Sequence, residues 1–266
     1  MFVKQRLEII MEMLQEHKSV TISDICDRLE ISQLTARRDL AVLQEQNLIH
    51  RVYGGAMLAE SEDNTFNPNN LDAEESERFL QAIAQEAAST VREGDVIFMG
   101  PGATVQAMAQ YLRLIPKLTV ITCSPDVLVA LANSEVSIYI TGGKLVDNAN
   151  RSTISSPQAI EYLKSFCADK AYISCSGVSL KHGVSDRSTS SAELCRIMVE
   201  NADHTYLVSN SDKFGKNSLS TVCPLKSIHT IITDSSLKKE IVQDISKLGV
   251  QLDLVDTSTA SKLQSE

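Results

Sequence analysis

Residues 31–40 read ISQLTARRDL and residues 48–56 read LIHRVYGGA. Ser32 is a good N-cap for a helix whose apolar positions Ala36, Leu40 and Leu43 recur at helical spacing. At about 100° per residue those three point one way, and Leu34, Arg37, Arg38 and Ala41 gather on the opposite face. The helix gives way at Asn47 to the alternating stretch Leu48–Tyr53, which predicts a strand closed by Gly54-Gly55.

Working outward, Val3, Leu7, Ile10, Met11 and Leu14 predict a first helix. Ile22, Ile25, Cys26 and Leu29 predict a second, opened by Thr21 with Asp24 three residues on, in the manner of a capping box. Only Glu30 and Ile31 separate it from Ser32. Two short helices joined by a tight turn form a helix-turn-helix, whose second helix enters the major groove, and a strand pair after it is a wing. On that reading DNA meets Leu34, Arg37 and Arg38, with Ser32, Gln33 and Thr35 beside them at a helix start that favours phosphate. Arg51 and Tyr53 of the wing rest on neighbouring phosphates or the minor groove. Adjacent arginines also occur on solvated faces, so spacing alone leaves a small helical interaction module as the alternative. Leu34 reads either as a contact for a thymine methyl or as a surface leucine.

These residues resemble the N-terminal domain of the DeoR family of bacterial transcription regulators. The resemblance rests on Thr-x-Arg-Arg-Asp-Leu (35–40) and Gly-Gly-Ala (54–56) at their usual separation, with Arg6 and Ile9 also in place. It implies Arg37 and Arg38 as the principal DNA contacts. Ala36 stands where the family normally has Ile or Val, and Tyr53 where it normally has His. The smaller Ala36 gives up buried volume beneath the helix, a change that typically costs about 1 kcal/mol or more.

The whole chain has 266 residues and a net charge of −9. Residues 1–56 carry seven Lys and Arg against eight Asp and Glu, so the acidity sits in the remainder and does not exclude a nucleic-acid partner for the first part. No stretch is apolar for long enough to cross a membrane, and MFVKQRLEII lacks the apolar core of a signal peptide. Six scattered cysteines without zinc spacing read as reduced residues of a cytoplasmic protein, with no metal or cofactor implied. Residues 60–77 hold seven acidic residues, no basic one and four Asn, which predicts a linker that turns helical near Ala73. The expected organisation is a winged helix-turn-helix domain over 1–57, an acidic linker over 58–77, a larger domain over 78–256 and a flexible tail over 257–266.

In the larger part, apolar runs at 95–99, 118–122, 137–140, 171–173, 205–208 and 228–232 alternate with helical spacings. That order predicts an α/β domain with a mostly parallel sheet and helices on both faces, binding ligands in the loops at the carboxyl ends of its strands. Small residues concentrate there: Gly102, Ala103 and Thr104; Ser124; Gly142 and Gly143; Gly183 and Ser185; and Lys213 within Ser209–Lys213. Glycines let a backbone approach a ligand and helix-start amides bind phosphate, so an anionic small molecule is expected. On the linker helix, Phe79, Ile83 and Ala87 are expected to pack against the sheet rather than to pair protomers.

This part resembles the DeoR sensor domain, similar in fold to sugar phosphate isomerases, through 118–133, 139–145, 168–185, 211–216 and 228–234. The resemblance implies a phosphorylated sugar effector, its phosphate near Gly102 and Thr104 and Lys213 as counter-charge. The family usually has Asp-x-Gly-Ser-Thr where this chain has Gly100-Pro101-Gly102-Ala103-Thr104, Asn at Cys123, Asp at Asn210 and Lys at Cys195. Unmatched groups in a buried site weaken affinity by about 1–3 kcal/mol each, so the effector is expected to differ from the common one or to bind weakly.

The expected function is a DNA-binding regulator that represses a sugar uptake or catabolism operon and works as a homo-oligomer on paired half-sites of double-stranded operator DNA. The alternatives are a regulator answering a non-sugar or protein signal, and a sugar phosphate isomerase or deaminase. For the last, Asp186, Asp212 and His182 are the remaining acid–base groups of the loops.

Overall fold

Val3–His17 (α1) buries Ile10 and Leu14 on the predicted face. The computed structural model describes residues 3–17, 19–29, 31–45, 49–52, 55–58, 71–148 and 151–256. Within them the chain divides into two units, Met1–Asn67 and Pro68–Glu266. Val3's side chain, the acidic segment 59–70, Tyr53 and the tail from Thr257 lie outside the described residues, as does the side chain of Arg51.

In the first unit α1 leads to a short strand, Ser19–Thr21 (β1), and to Ile22–Leu29 (α2). The capping box forms: Asp24 N donates to Thr21 Oγ1 (3.1 Å) and Thr21 N to Asp24 Oδ2 (3.0 Å). Gln33–Glu45 (α3) buries Ala36, Leu40 and Leu43 against Ile10, Leu14 and Ile25. Ile49–Val52 (β2) and Gly55–Leu58 (β3) make the antiparallel wing, and β1 joins its open edge to give the order β1-β3-β2. That third strand was not visible in sequence. Gly55 is required by it, since a Cβ there would lie 2.1 Å from Val20 O.

The second unit opens with Leu71–Ser89 (α4), so 71–77 of the expected linker are helical. Val96–Met99 (β4), Ala103–Leu112 (α5), Thr119–Thr122 (β5), Pro125–Leu131 (α6) and Ser137–Ile140 (β6) follow in strict alternation. A hairpin comes next, Lys144–Asn148 (β7) and Arg151–Ser155 (β8), then Pro157–Lys164 (α7) and Ala168–Ile173 (β9). Gly177–Ser179 (β10), Gly183–Asp186 (β11), Thr189–Glu200 (α8), Ala202–Val208 (β12), Ser220–Cys223 (β13), Thr230–Asp234 (β14), Lys239–Lys247 (α9) and Gln251–Val255 (β15) complete it.

Seven strands form one parallel sheet in the order β15-β14-β12-β9-β4-β5-β6. Alternate side chains feed opposite layers. Ile97, Met99 and Val120 pack under α4, α5 and α6, with Ile83 and Ala87 of α4 fully buried. Phe98 and Ile121 pack under α7 and α8, and Ile173, Leu207 and Ile231 under α8 and α9. Burial on both faces is why the inner strands read as apolar runs, while the edge strands β6 and β15 are partly exposed. A separate antiparallel sheet, β10-β11-β13, lies against α8 through Val184, Val222 and Cys223. Among the described residues no helix is long and apolar enough to cross a membrane.

At the amino ends of β12 and β14 the His204 and His229 rings stack 4.7 Å apart, and His229 Nδ1 accepts from Thr205 N at 3.0 Å. Burial, then His229 and Lys170, hold His204 below its ordinary 6.5. A histidine kept neutral by folding takes up its proton more readily when unfolded, so its contribution is intact above pH 6.5 and lost as the pH falls toward the folded-state value. The unfolding midpoint is expected to drop between about pH 7 and pH 5, and His204→Gln to flatten that slope. A variant with the wild-type slope would show that other groups carry it.

Candidate functional site

The outward face of α3 is assembled by what holds its inner face. Arg6 on α1 clamps Asp39 with two hydrogen bonds, Nε to Oδ2 at 2.7 Å and Nη2 to Oδ1 at 2.9 Å. Both side chains are nearly enclosed, at 13% and 4% exposure. The Asp of the Arg-Arg-Asp run therefore fixes the helix instead of facing a ligand, a role the sequence left unassigned. Its signal was present, because Asp39 falls beside Ala36, Leu40 and Leu43 on the helical wheel.

On the other face Gln33, Leu34, Arg37 and Arg38 are exposed together. Ser32 Oγ accepts from Thr35 N (3.3 Å) and bonds Thr35 Oγ1 (3.0 Å), so these two hydroxyls shape the start of α3. The structure brings six of the eight predicted DNA-facing residues to one helix end and turn; Tyr53 and the Arg51 side chain fall outside its description.

In the second unit the chain leaves β4 toward β5 and leaves β9 toward β12, so the order reverses between the adjacent strands β4 and β9. Ligands of open parallel sheets sit in the crevice beyond the carboxyl ends at such a point. The loop Gly100–Gly102 lies there. Gly100 N donates to Tyr172 O (2.9 Å), and a Cβ on Gly102 would stand 2.7 Å from Ser174 Cβ. With φ at +141°, Gly102 opens α5 with no side-chain cap, so no capping side chain takes up the first amides of the helix, at Ala103 and Thr104. Ser174 was not singled out from sequence, although it begins the run of small residues after β9.

Other predicted loop residues have structural duties. Ser124 Oγ caps α6 by accepting from Val127 N at 3.4 Å. Gly142 O accepts from Ser156 Oγ (3.1 Å), and a Cβ on Gly143 would lie 2.7 Å from the same oxygen, so this pair seats the start of α7. β8 ties the two loops together, Ile154 N donating to Cys123 O at 2.7 Å and Thr141 Oγ1 donating to Ile154 O at 3.2 Å. Gly183 and Ser185 belong to the separate antiparallel sheet, not to a carboxyl end of the parallel one. A Cβ on Gly183 would lie 2.2 Å from Cys223 O, and Ser185 Oγ is spent on Gly177 O (3.1 Å) and Ser218 N (2.9 Å). Packing accounts for both. Lys213 follows β12, two strands from β4, and pairs with Asp212 at 3.0 Å.

The wall behind Gly100 is made of the Cys195 thiol, the Tyr172 carbonyl and the Ile173 side chain. A Cβ on Gly100 would meet Cys195 Sγ at 3.3 Å. Cys123 is fully buried among Phe98, Ile121 and Leu194, which pushes its thiol up to about 12, and burial likewise raises Cys195 well above its usual value. These groups stay protonated at neutral pH and offer no nucleophile. Of the remaining acid–base candidates, Asp186 accepts from Ser176 Oγ (3.1 Å) and Ser188 N (2.9 Å), Asp212 pairs with Lys213, and His182 lies on an exposed turn. Among the described residues no group of three or more His, Cys, Asp or Glu is arranged to hold a metal.

Comparison with known proteins bears on both units. The family model described as the DeoR-like helix-turn-helix domain matches residues 6–62, and that of the DeoR C-terminal sensor domain matches 78–235. The chain is 32% identical over 253 residues to the HTH-type transcriptional repressor GlcR of Bacillus subtilis, spanning 95% of this chain and 96% of that one. It is 31% identical over 251 residues to the lactose phosphotransferase system repressor of Lactococcus lactis, spanning 92% and 96%. It is 30% identical over 261 residues to the uncharacterised HTH-type regulator YulB of Bacillus subtilis, spanning 97% and 99%. Among solved structures, ribose 5-phosphate isomerase A of Methanocaldococcus jannaschii aligns with a TM-score of 0.40 at 16% identity, covering 52% of this chain and 55% of that one.

Proposed function

Because the chain belongs to the DeoR family of helix-turn-helix transcriptional regulators, we propose that it represses a sugar uptake or catabolism operon, binding double-stranded operator DNA as a homo-oligomer and releasing it when a phosphorylated sugar enters the sensor domain. The observation that carries this reading is the exposed Gln33, Leu34, Arg37, Arg38 face on a helix whose opposite face is clamped by Arg6 and Asp39. Arg37 and Arg38 are suited to guanine O6 and N7 or to phosphate, with Ser32 and Thr35 at the phosphate-favouring helix start. Arg51 and Tyr53 of the wing are assigned to the flanking backbone. One of the repressors named above is a lactose phosphotransferase system repressor, which supports a sugar-linked target.

For the effector we assign the phosphate to the amides at Gly102, Ala103 and Thr104, with Lys213 supplying charge from the side. Ser124, Gly142 and Gly143 shape the neighbouring loops. A repressor needs its ligand to prefer one DNA-binding state over the other. The test is fluorescence anisotropy of the full-length protein on DNA from upstream of its gene and neighbouring genes, at two salt concentrations, with and without a panel of sugar phosphates. Specific binding that weakens with salt, and is released by one sugar phosphate, is expected. Arg37→Ala and Arg38→Ala are each expected to weaken it by about 1–3 kcal/mol. Absence of specific binding would overturn the reading, and binding indifferent to every phosphate would shift the signal to a protein partner or another metabolite.

Gly102→Ala follows as a sharper check. The added Cβ meets Ser174 at 2.7 Å in a backbone conformation that disfavours side chains. Operator binding is expected to persist while the releasing concentration of the active sugar phosphate rises about tenfold or more, the cost of a strained residue at the site. An unchanged release curve would place the phosphate elsewhere.

A further inference from the structure

We propose that Leu34 reads a thymine, its side chain packing on the 5-methyl group in the major groove; this rests on the operator-binding reading above. Leu34 and Leu43 are nine residues apart, about half a turn round the helix axis. Leu43 is 1% exposed and Leu34 is 62% exposed, so Leu34 points directly away from the core. Among the described residues of this unit it is the large apolar side chain left in solvent, and no core cluster takes it in. The polar groups on either side are differently employed. Ser32 and Thr35 bond one another at 3.0 Å and shape the helix start, while Arg37 and Arg38 stand exposed one turn further on. The first turn of such a helix is the part that meets base edges.

A side chain with no donor or acceptor opposite a base edge strips water from that edge without replacing it. Thymine alone presents a methyl group in the major groove, whereas cytosine carries only a hydrogen at the same ring carbon. Leu34 thus favours thymine by covering the methyl, a contact that cytosine cannot offer. Its effect is on base choice, in contrast to a lysine or arginine on phosphate, which strengthens binding to any sequence.

The experiment begins with a duplex selected by the full-length protein from a randomised pool. Each thymine of one half-site is then replaced by deoxyuridine, which removes only the methyl, and affinity is measured for wild type and Leu34→Ala. One position is expected at which deoxyuridine weakens the wild type about three- to tenfold and leaves Leu34→Ala unaffected. Leu34→Gln is expected to move the selected base at that position from thymine toward adenine. Uniform insensitivity of the wild type, or equal sensitivity of Leu34→Ala at the same thymine, would overturn the proposal. If no duplex is selected at all, the operator-binding reading itself fails.

Discussion

Arg6→Ala is expected to lower the unfolding midpoint of the first unit by about 10 °C or more and to abolish operator binding with it. The substitution leaves Asp39, 3% exposed, with its carboxylate buried and its bidentate clamp gone. Removing one partner of a buried pair costs more than removing both, because the surviving charge keeps its desolvation penalty. Arg6→Ala with Asp39→Ala is therefore expected to melt above Arg6→Ala alone. Arg6→Lys should fall between, since an ammonium is a point charge that cannot span both carboxylate oxygens in one plane. Thermal melts followed by circular dichroism decide the order, and an Arg6→Ala midpoint within a degree or two of wild type would remove the clamp from the account.

Gly100→Asp is expected to destabilise the second unit by about 3 kcal/mol or more, and Cys195→Lys to rescue much of that loss when combined with it. Two of the three positions at which the resemblance gives the family a charge that this chain lacks meet in space, Cys195 Sγ standing 3.3 Å from where a Gly100 Cβ would be. An aspartate there alone would face the Cys195 thiol, the Tyr172 carbonyl and Ile173, none of which neutralises it. A lysine at Cys195 alone would bury an unpaired ammonium. Together they form a pair, so the double variant should be more stable than the sum of the singles predicts. Denaturant titration of the full chain measures the coupling. Additive losses would mean that the two replacements arose without reference to each other.

The helix-turn-helix was legible because α2 and α3 are each short, capped and one-sided, so local chemistry and tertiary burial agree at Thr21, Ser32, Ala36 and Leu40. Five of the six parallel strands read from sequence were legible for a related reason, lying inside the sheet with both faces covered, and the edge strand β6 by its Ile-Tyr-Ile run. β1 and β10 are only three residues long, and β7 and β15 each carry two exposed residues, so none of these announces itself by periodicity. The crevice was only partly legible. Glycine and serine after a strand look alike whether they are proposed to admit a ligand, as at Gly102, or make room for a neighbouring backbone, as at Gly183. Only the third dimension separates these uses, and it also revealed Ser174 as the partner that makes Gly102 obligatory.

Enclosure of the Arg6–Asp39 pair has a consequence for how this protein answers ionic strength. Counter-ions screen charges that water can reach and scarcely touch an ion pair at 13% and 4% exposure. Arg37 and Arg38, on the opposite face of the same helix, are fully open to them. On the proposed DNA-facing assignment, added salt is expected to strip the helix of its attraction for phosphate while leaving its seat intact. The protein is then expected to let go of nucleic acid as a folded body, ready to rebind when the salt is withdrawn.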